Sequence, residues 1–155
     1  MIRSGRTSGA WLRTRLARRW VSVTVEGDSM RPTFNPGDRV LARRVKTTPQ
    51  AGDIVVVEAP VLLGNRSTWH LPPPGPGDLD RRWLIKRVAA VAGDLVPAAA
   101  AAGVLAAGEV VPPGSLLVVG DNPAHSHDSR HLGPIPVDRV IGRVVPSRRI
   151  RSDFS

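Results

Sequence analysis

The sequence predicts a mainly β fold, a single compact sandwich or barrel-like domain with a short basic arm or helix in front of it. Three observations carry this. Short runs of Val, Ile and Leu recur along the chain, some alternating with polar residues and some continuous. Turn-forming residues punctuate them, with 15 Gly and 15 Pro often paired with each other or with Asp. The length of 155 residues suits one domain with a real core and leaves no room for two large ones.

Residues 1–20 form the arm: six arginines, no acid, and Leu12, Leu16 and Trp20 at four-residue spacing, with Trp11 to one side. The pattern fits a basic amphipathic helix on anionic lipid, a basic arm, or a helix packing its stripe on the domain. The domain proper spans 21–146, and 147–155 is a tail. Val21-Ser22-Val23-Thr24-Val25 alternates as a half-buried strand, Arg39–Arg43 fits a short one, and Asp53–Glu58 is a buried-type run. Gly37-Asp38 and Gly52-Asp53 mark turns. Residues 61–81, with Asn65-Arg66-Ser67 and the proline-rich stretch from Leu71 to Gly77, predict a loop insertion without regular structure. Trp83–Val91 resumes as a strand and ends at Gly93-Asp94. The Ala-rich residues 98–107 fit a short helix or a plain loop equally. Val110-Val111 and Leu116–Val119 are expected as strands around Pro112-Pro113-Gly114. Residues 120–133 form a polar loop, and Val137–Val145 is the last strand. No internal repeat is visible.

Composition excludes several classes of function. With no cysteine there are no disulfides, thiolate metal sites or cysteine nucleophiles. No run of 18 apolar residues exists to span a bilayer as a helix, and the N-terminus lacks the uninterrupted apolar core of a secretory signal. A net charge of +9 favours anionic partners, among them a lipid surface. Nucleic acid is disfavoured: without Tyr and with two Phe the chain offers no stacking platform, and the arm is too short for a helix-turn-helix. The expected location is cytoplasmic or peripheral at the cytoplasmic membrane.

Three places could carry chemistry. Ser29 follows the alternating run at a strand-to-turn junction, where Pro32, Pro36 and Gly37 prevent a helix from continuing. A hydroxyl held there suits a nucleophile, although Ser beside Asp and Gly is also ordinary turn chemistry. Of the 22 basic residues only Lys46 and Lys86 are lysine. Lys46 reads as solvated surface. Lys86 alternates in phase with Leu84 and Val88, so its amine points where apolar side chains point. Burial there would lower its pKa and supply a neutral amine, which arginine cannot do. The third place is Gly120–Gly133, which holds Asp121, Ser126, Asp128 and Arg130, the last two spaced to form a bidentate pair. His125, His127 and His131 raise a metal site as an alternative, but no acidic or thiol partner stands at diagnostic spacing, so no metal and no cofactor is expected.

In this order and spacing, three segments resemble the signal peptidase I family of Ser/Lys-dyad serine endopeptidases. They are Gly27-Asp28-Ser29-Met30-Arg31-Pro32-Thr33, the segment from Lys86 to Asp94, and the segment from Gly120 to Arg130. Gly52–Val57 and Gly133-Pro134-Ile135-Pro136 through Ile141-Gly142 extend the resemblance over roughly 21–146. It implies a β-domain of coiled antiparallel sheets, partly barrel-like. It further implies that Ser29 is the nucleophile, Lys86 its general base and Ser126 the residue that orients the lysine. Asp121, Asp128 and Arg130 would support them, with Met30 and Gly27 flanking the serine. Some relatives place a serine hydroxyl where this chain has Gly27. The short form is similar to the nickel-type superoxide dismutase maturation proteases, which implies a dismutase precursor as substrate. The broader expectation is leader removal from secreted precursors.

Overall fold

The computed structural model describes residues 19–44, 47–75 and 80–145. The basic arm up to residue 18, Lys46 and the C-terminal tail lie outside the described residues. Among those described, the strands are β1 (Trp20–Thr24), β2 (Arg39–Arg43), β3 (Ile54–Glu58), β4 (Val61–Leu63), β5 (Arg66–Thr68), β6 (Trp83–Val91), β7 (Ser115–Val119), β8 (Ile135–Pro136) and β9 (Val140–Val144). One short helix, α1 (Ser129–Leu132), and three single 3-10 turns complete the order. Seven strands make one antiparallel sheet, β1-β2-β9-β3-β6-β7-β8, curled into a half-barrel, and β4 and β5 form a separate hairpin. The mainly β, single-domain expectation holds.

Burial explains why the strands differ in sequence. β3 lies at the centre, between β6 and β9, and is covered on both faces. Val56 packs with Val23, Val40, Ile85 and Ile141, whereas Val55 and Val57 pack with Val88, Leu116, Val118 and Ile135. A strand dry on both sides needs no polar alternation, hence the continuous run. Each such side chain contributes roughly 1.5–3 kcal/mol by leaving water. β1 sits at the sheet edge with Ser22 exposed between buried Val21 and Val23, and it alternates accordingly.

The Gly-Asp pairs mark strand boundaries by one repeated device, ahead of β2 and β3 and after β6. Asp38, Asp53 and Asp94 each accept, on the side chain, the backbone N–H three residues earlier, at 2.8, 2.9 and 3.0 Å. Each returns its own N–H to the carbonyl of that same residue. The preceding Gly37, Gly52 and Gly93 adopt φ near +90°, a region costly for any side chain with a Cβ.

Several local expectations are corrected. Residues 61–81 do contain regular structure: Leu63 and Arg66 close a hairpin around Gly64-Asn65, a two-residue turn whose signal the neighbouring prolines masked. Val110-Val111 is not a strand; Leu95 and Val110 make one isolated bridge, and the backbone then turns away at Pro112. The last strand begins at Val140, because Val137–Arg139 form a 3-10 turn after Pro136. Residues 98–107 open with a 3-10 turn at Ala98–Ala100 and continue as turns. The polar loop 120–133 holds α1. Trp20, the last member of the proposed helical stripe, belongs to β1, paired with Arg43. Among the described residues, no helix is long and apolar enough to cross a membrane.

Candidate active site

Ser29 stands in the turn after β1, where the backbone folds back on itself: Arg31 N–H donates to Asp28 O at 3.2 Å and Phe34 N–H to Met30 O at 2.9 Å. Met30 is buried in the core, which pins the residue next to the serine. Gly27 has φ +74°, so a serine in its place would be strained even though a Cβ there meets nothing. Geometry thus accounts for the glycine at that position. The turn is tied to the polar loop from its far side. Asn122 N–H donates to Ser29 O at 2.9 Å and its side-chain amide donates to Asp28 O at 3.1 Å.

Lys86 is the fourth residue of β6 and is 3% exposed. It lines a small cleft, about 50 Å³, together with Ser29, Val25, Met30, Leu84 and Ile85. Burial pulls its amine down from 10.5 to about 8; the Asp128 carboxylate acts the other way, and Arg130 adds to the lowering. A substantial neutral fraction is therefore present at mildly alkaline pH. The Lys86 Nζ donates to Ser126 Oγ at 3.1 Å. Ser126, itself buried, donates to Asp128 Oδ2 at 2.6 Å.

Asp128 is fully buried and is the hub of the loop. It accepts from Gly120 N–H at 2.9 Å, and from Arg130 through Nε at 2.9 Å and Nη2 at 3.1 Å, the bidentate pair expected from spacing. It also caps α1 by accepting from Arg130 N–H. Burial alone would raise its pKa, but the hydrogen bonds from Arg130, Ser126 and Gly120 outweigh it and hold the carboxyl at about 2. Arg130 is anchored in turn by the Pro123 and Ser126 carbonyls. Ser126 is thus offered to the lysine by a loop fixed at both ends.

Asp121 forms a second brace, which involves two residues that sequence reasoning missed. Arg87 donates to it from Nε and Nη2, each at 2.8 Å, and Thr33 Oγ1 donates at 2.5 Å. The Arg87 hydrogen bond holds Asp121 below the usual carboxylate range, against burial, with Thr33 assisting. The carboxylate therefore joins the strand carrying Lys86 to the turn carrying Ser29. Gly120 was also missed as more than a loop boundary. A Cβ there would overlap Ser126 Oγ and lie 2.6 Å from Ser29 O, so only glycine allows the loop to close on the turn.

The three histidines do not converge on one point. His127 and His131 stack with centroids 4.9 Å apart, both on the exposed side of the loop, and burial and His131 lower the pKa of His127. Among the described residues no three His, Asp or Glu side chains converge as metal ligands do.

Comparison with known proteins shows the family of the chain. A family model described as signal peptidase, peptidase S26, matches residues 11–105 and 97–147. Thylakoidal processing peptidase 1 of Arabidopsis thaliana is 31% identical over 79% of this chain, and the match covers 40% of that protein. Mitochondrial inner membrane protease subunit 1 of Mus musculus is 30% identical over 79% of the chain and 65% of its own length. Signal peptidase I V of Bacillus subtilis is 28% identical over 79% of the chain and 82% of its own length.

Proposed function

The chain belongs to the signal peptidase S26 family, and on that premise we propose that it is a serine endopeptidase removing an N-terminal leader or pro-sequence from a precursor protein. Ser29 is the nucleophile and Lys86 the general base. The observation that carries this is the buried Lys86 amine, lowered to about 8 and facing the same cleft as Ser29. In its neutral form it takes the proton of Ser29 Oγ as the oxygen attacks the scissile carbonyl, then returns it to the leaving amine. Water, deprotonated by the same amine, clears the acyl-enzyme. The Ser29 backbone N–H serves the oxyanion. Ser126 aims the amine, while Asp128 with Arg130, and Asp121 with Arg87, hold the two halves of the site in register. The cleft is small, about 50 Å³, which favours a small side chain at the cleaved bond.

The narrower substrate is the precursor of a nickel-type superoxide dismutase, a reading that rests on the resemblance of the short form with Gly133-Pro134-Ile135-Pro136 to the proteases that mature it. A second reading, a leader peptidase acting on secreted precursors, is favoured by relatives named as a processing peptidase and a signal peptidase. The proposed location is peripheral at an anionic membrane surface, in keeping with a net charge of +9. The test is mass spectrometry on two peptides, one from the dismutase precursor's cleavage region and one a generic leader ending in small residues. Each is incubated with the protein and with its Ser29→Ala variant. Ser29-dependent cleavage of the first alone supports the dedicated maturation role, and cleavage of the generic leader supports the second reading. Equal cleavage by Ser29→Ala sinks both.

A further inference from the structure

The connection from β3 to β6 holds apolar side chains in water. Val61, Leu62 and Leu63, consecutive in β4, are 48%, 48% and 60% exposed, and Leu71 just past β5 is 53% exposed. A strand packed on one face would cover every second side chain. Here consecutive side chains, on both faces of β4, are about half exposed or more.

The root of this hairpin is firmly built. Ser67 Oγ donates to Leu132 O at 2.7 Å, and Trp69 Nε1 donates to Glu58 O at 3.2 Å. Arg139 lies 5.5 Å from the Trp69 ring centroid. The buried Glu58 accepts from Arg81 at 3.2 Å and Arg139 at 2.9 Å, and the same two guanidinium groups bond the Pro72 and Leu71 carbonyls. The apolar tip therefore stands on a fixed stalk. From Ala59 to Gly77 the only charged or titratable residues are Arg66 and His70, with no carboxylate, and both are exposed.

Adjacent exposed leucines beside a cation, on a chain of net charge +9, match the two attractions of an anionic bilayer: acyl chains below and phosphates at the surface. An apolar protein partner would use the leucines but give Arg66 nothing to pair with. We infer that hairpin β4–β5 is a membrane-docking finger. Leu62 and Leu63 enter the acyl boundary of an anionic leaflet and Arg66 pairs with lipid phosphate. The connection returns at Trp83, the start of the strand that lines the cleft, so docking would hold the cleft close to the membrane surface. The inference stands apart from the peptidase reading, because vesicle binding is measured without cleavage.

The experiment is co-sedimentation of the whole chain with vesicles of phosphatidylglycerol and phosphatidylcholine, and with phosphatidylcholine alone. The wild type should sediment with the first and barely with the second. Leu62→Ser/Leu63→Ser should weaken binding by about tenfold or more, because it removes two inserted side chains. Arg66→Glu should weaken it by roughly fivefold or more. Both variants should melt like the wild type, since the changed side chains are exposed. Variants that sediment like the wild type, or a wild type that ignores anionic vesicles, would overturn the inference. So would unaltered vesicle binding with loss of a concentration-dependent dimer, meaning a second copy covers the tip. Unaltered vesicle binding with a raised KM for peptide in lipid-free solution would likewise make it a substrate-docking surface.

Discussion

A lysine amine at 3% exposure is a poor place for a charge and a good one for a base. Its depressed pKa carries a cost in stability with a definite sign. Below about pH 8 the folded chain must hold the buried ammonium. As pH rises from about 8 to the unfolded value near 10.5, that penalty disappears. Lys86→Met should therefore melt at a higher temperature than the wild type at neutral pH, with the gap closing in alkali; an equal or lower melting temperature at neutral pH would contradict the burial account. Under the proposed dyad, Lys86→Arg keeps the charge and loses the base, so turnover should fall about a thousandfold or more. Ser126→Ala should lower kcat by roughly ten- to a hundredfold and leave KM nearly unchanged, because the hydroxyl aims the amine and does not hold substrate. Kinetics on a soluble peptide would check both.

At the scale of elements, the site exists because a turn, a strand and a loop meet, and the contacts between them are few and specific. Gly120→Ala forces a methyl against Ser126 Oγ and the Ser29 carbonyl. It should cost roughly 1–3 kcal/mol of stability and most of the activity, read by denaturant titration and peptide cleavage. Asp128 links the loop to Arg130, Ser126 and Gly120, and its pKa near 2 stabilises the fold above the unfolded value of 3.8. That contribution, about 2 kcal/mol, should be lost as pH falls from about 4 to 2. In Asp128→Asn the loss over this interval should be smaller, which acid titration followed by circular dichroism would register. The Asp121–Arg87 pair was hidden from the sequence for a geometric reason. Alternation turns Arg87 away from the Lys86 face, and nothing local says that a carboxylate 34 residues later meets it. The burial of Lys86 and the Asp128–Arg130 pair were legible because each announces itself within a few residues, by strand phase or short spacing, whereas Ser29, beside ordinary turn residues, stood out through the resemblance of its segment. Thr33 and Gly120 matter through contacts made only once the loop closes.

For the molecule as a whole, strand periodicity and Gly-Asp turns made the β class plain, since both are local consequences of backbone geometry. The strand order was not legible: β9 inserts between β2 and β3, a pairing set by the curl of the sheet. Nor was the β4–β5 hairpin, whose turn signal lies beside a proline run. The fold brings Ser29 and Lys86 to one cleft, and the proposed chemistry there depends on a neutral lysine. The pH dependence of kcat/KM for wild-type cleavage of a soluble peptide, from about pH 6 to pH 10, tests this most directly. A rise of about tenfold per unit at the acid end, a bend near 8 and a plateau beyond it are expected. A flat profile, or a bend in the ordinary histidine range that Lys86→Arg leaves in place, would contradict it.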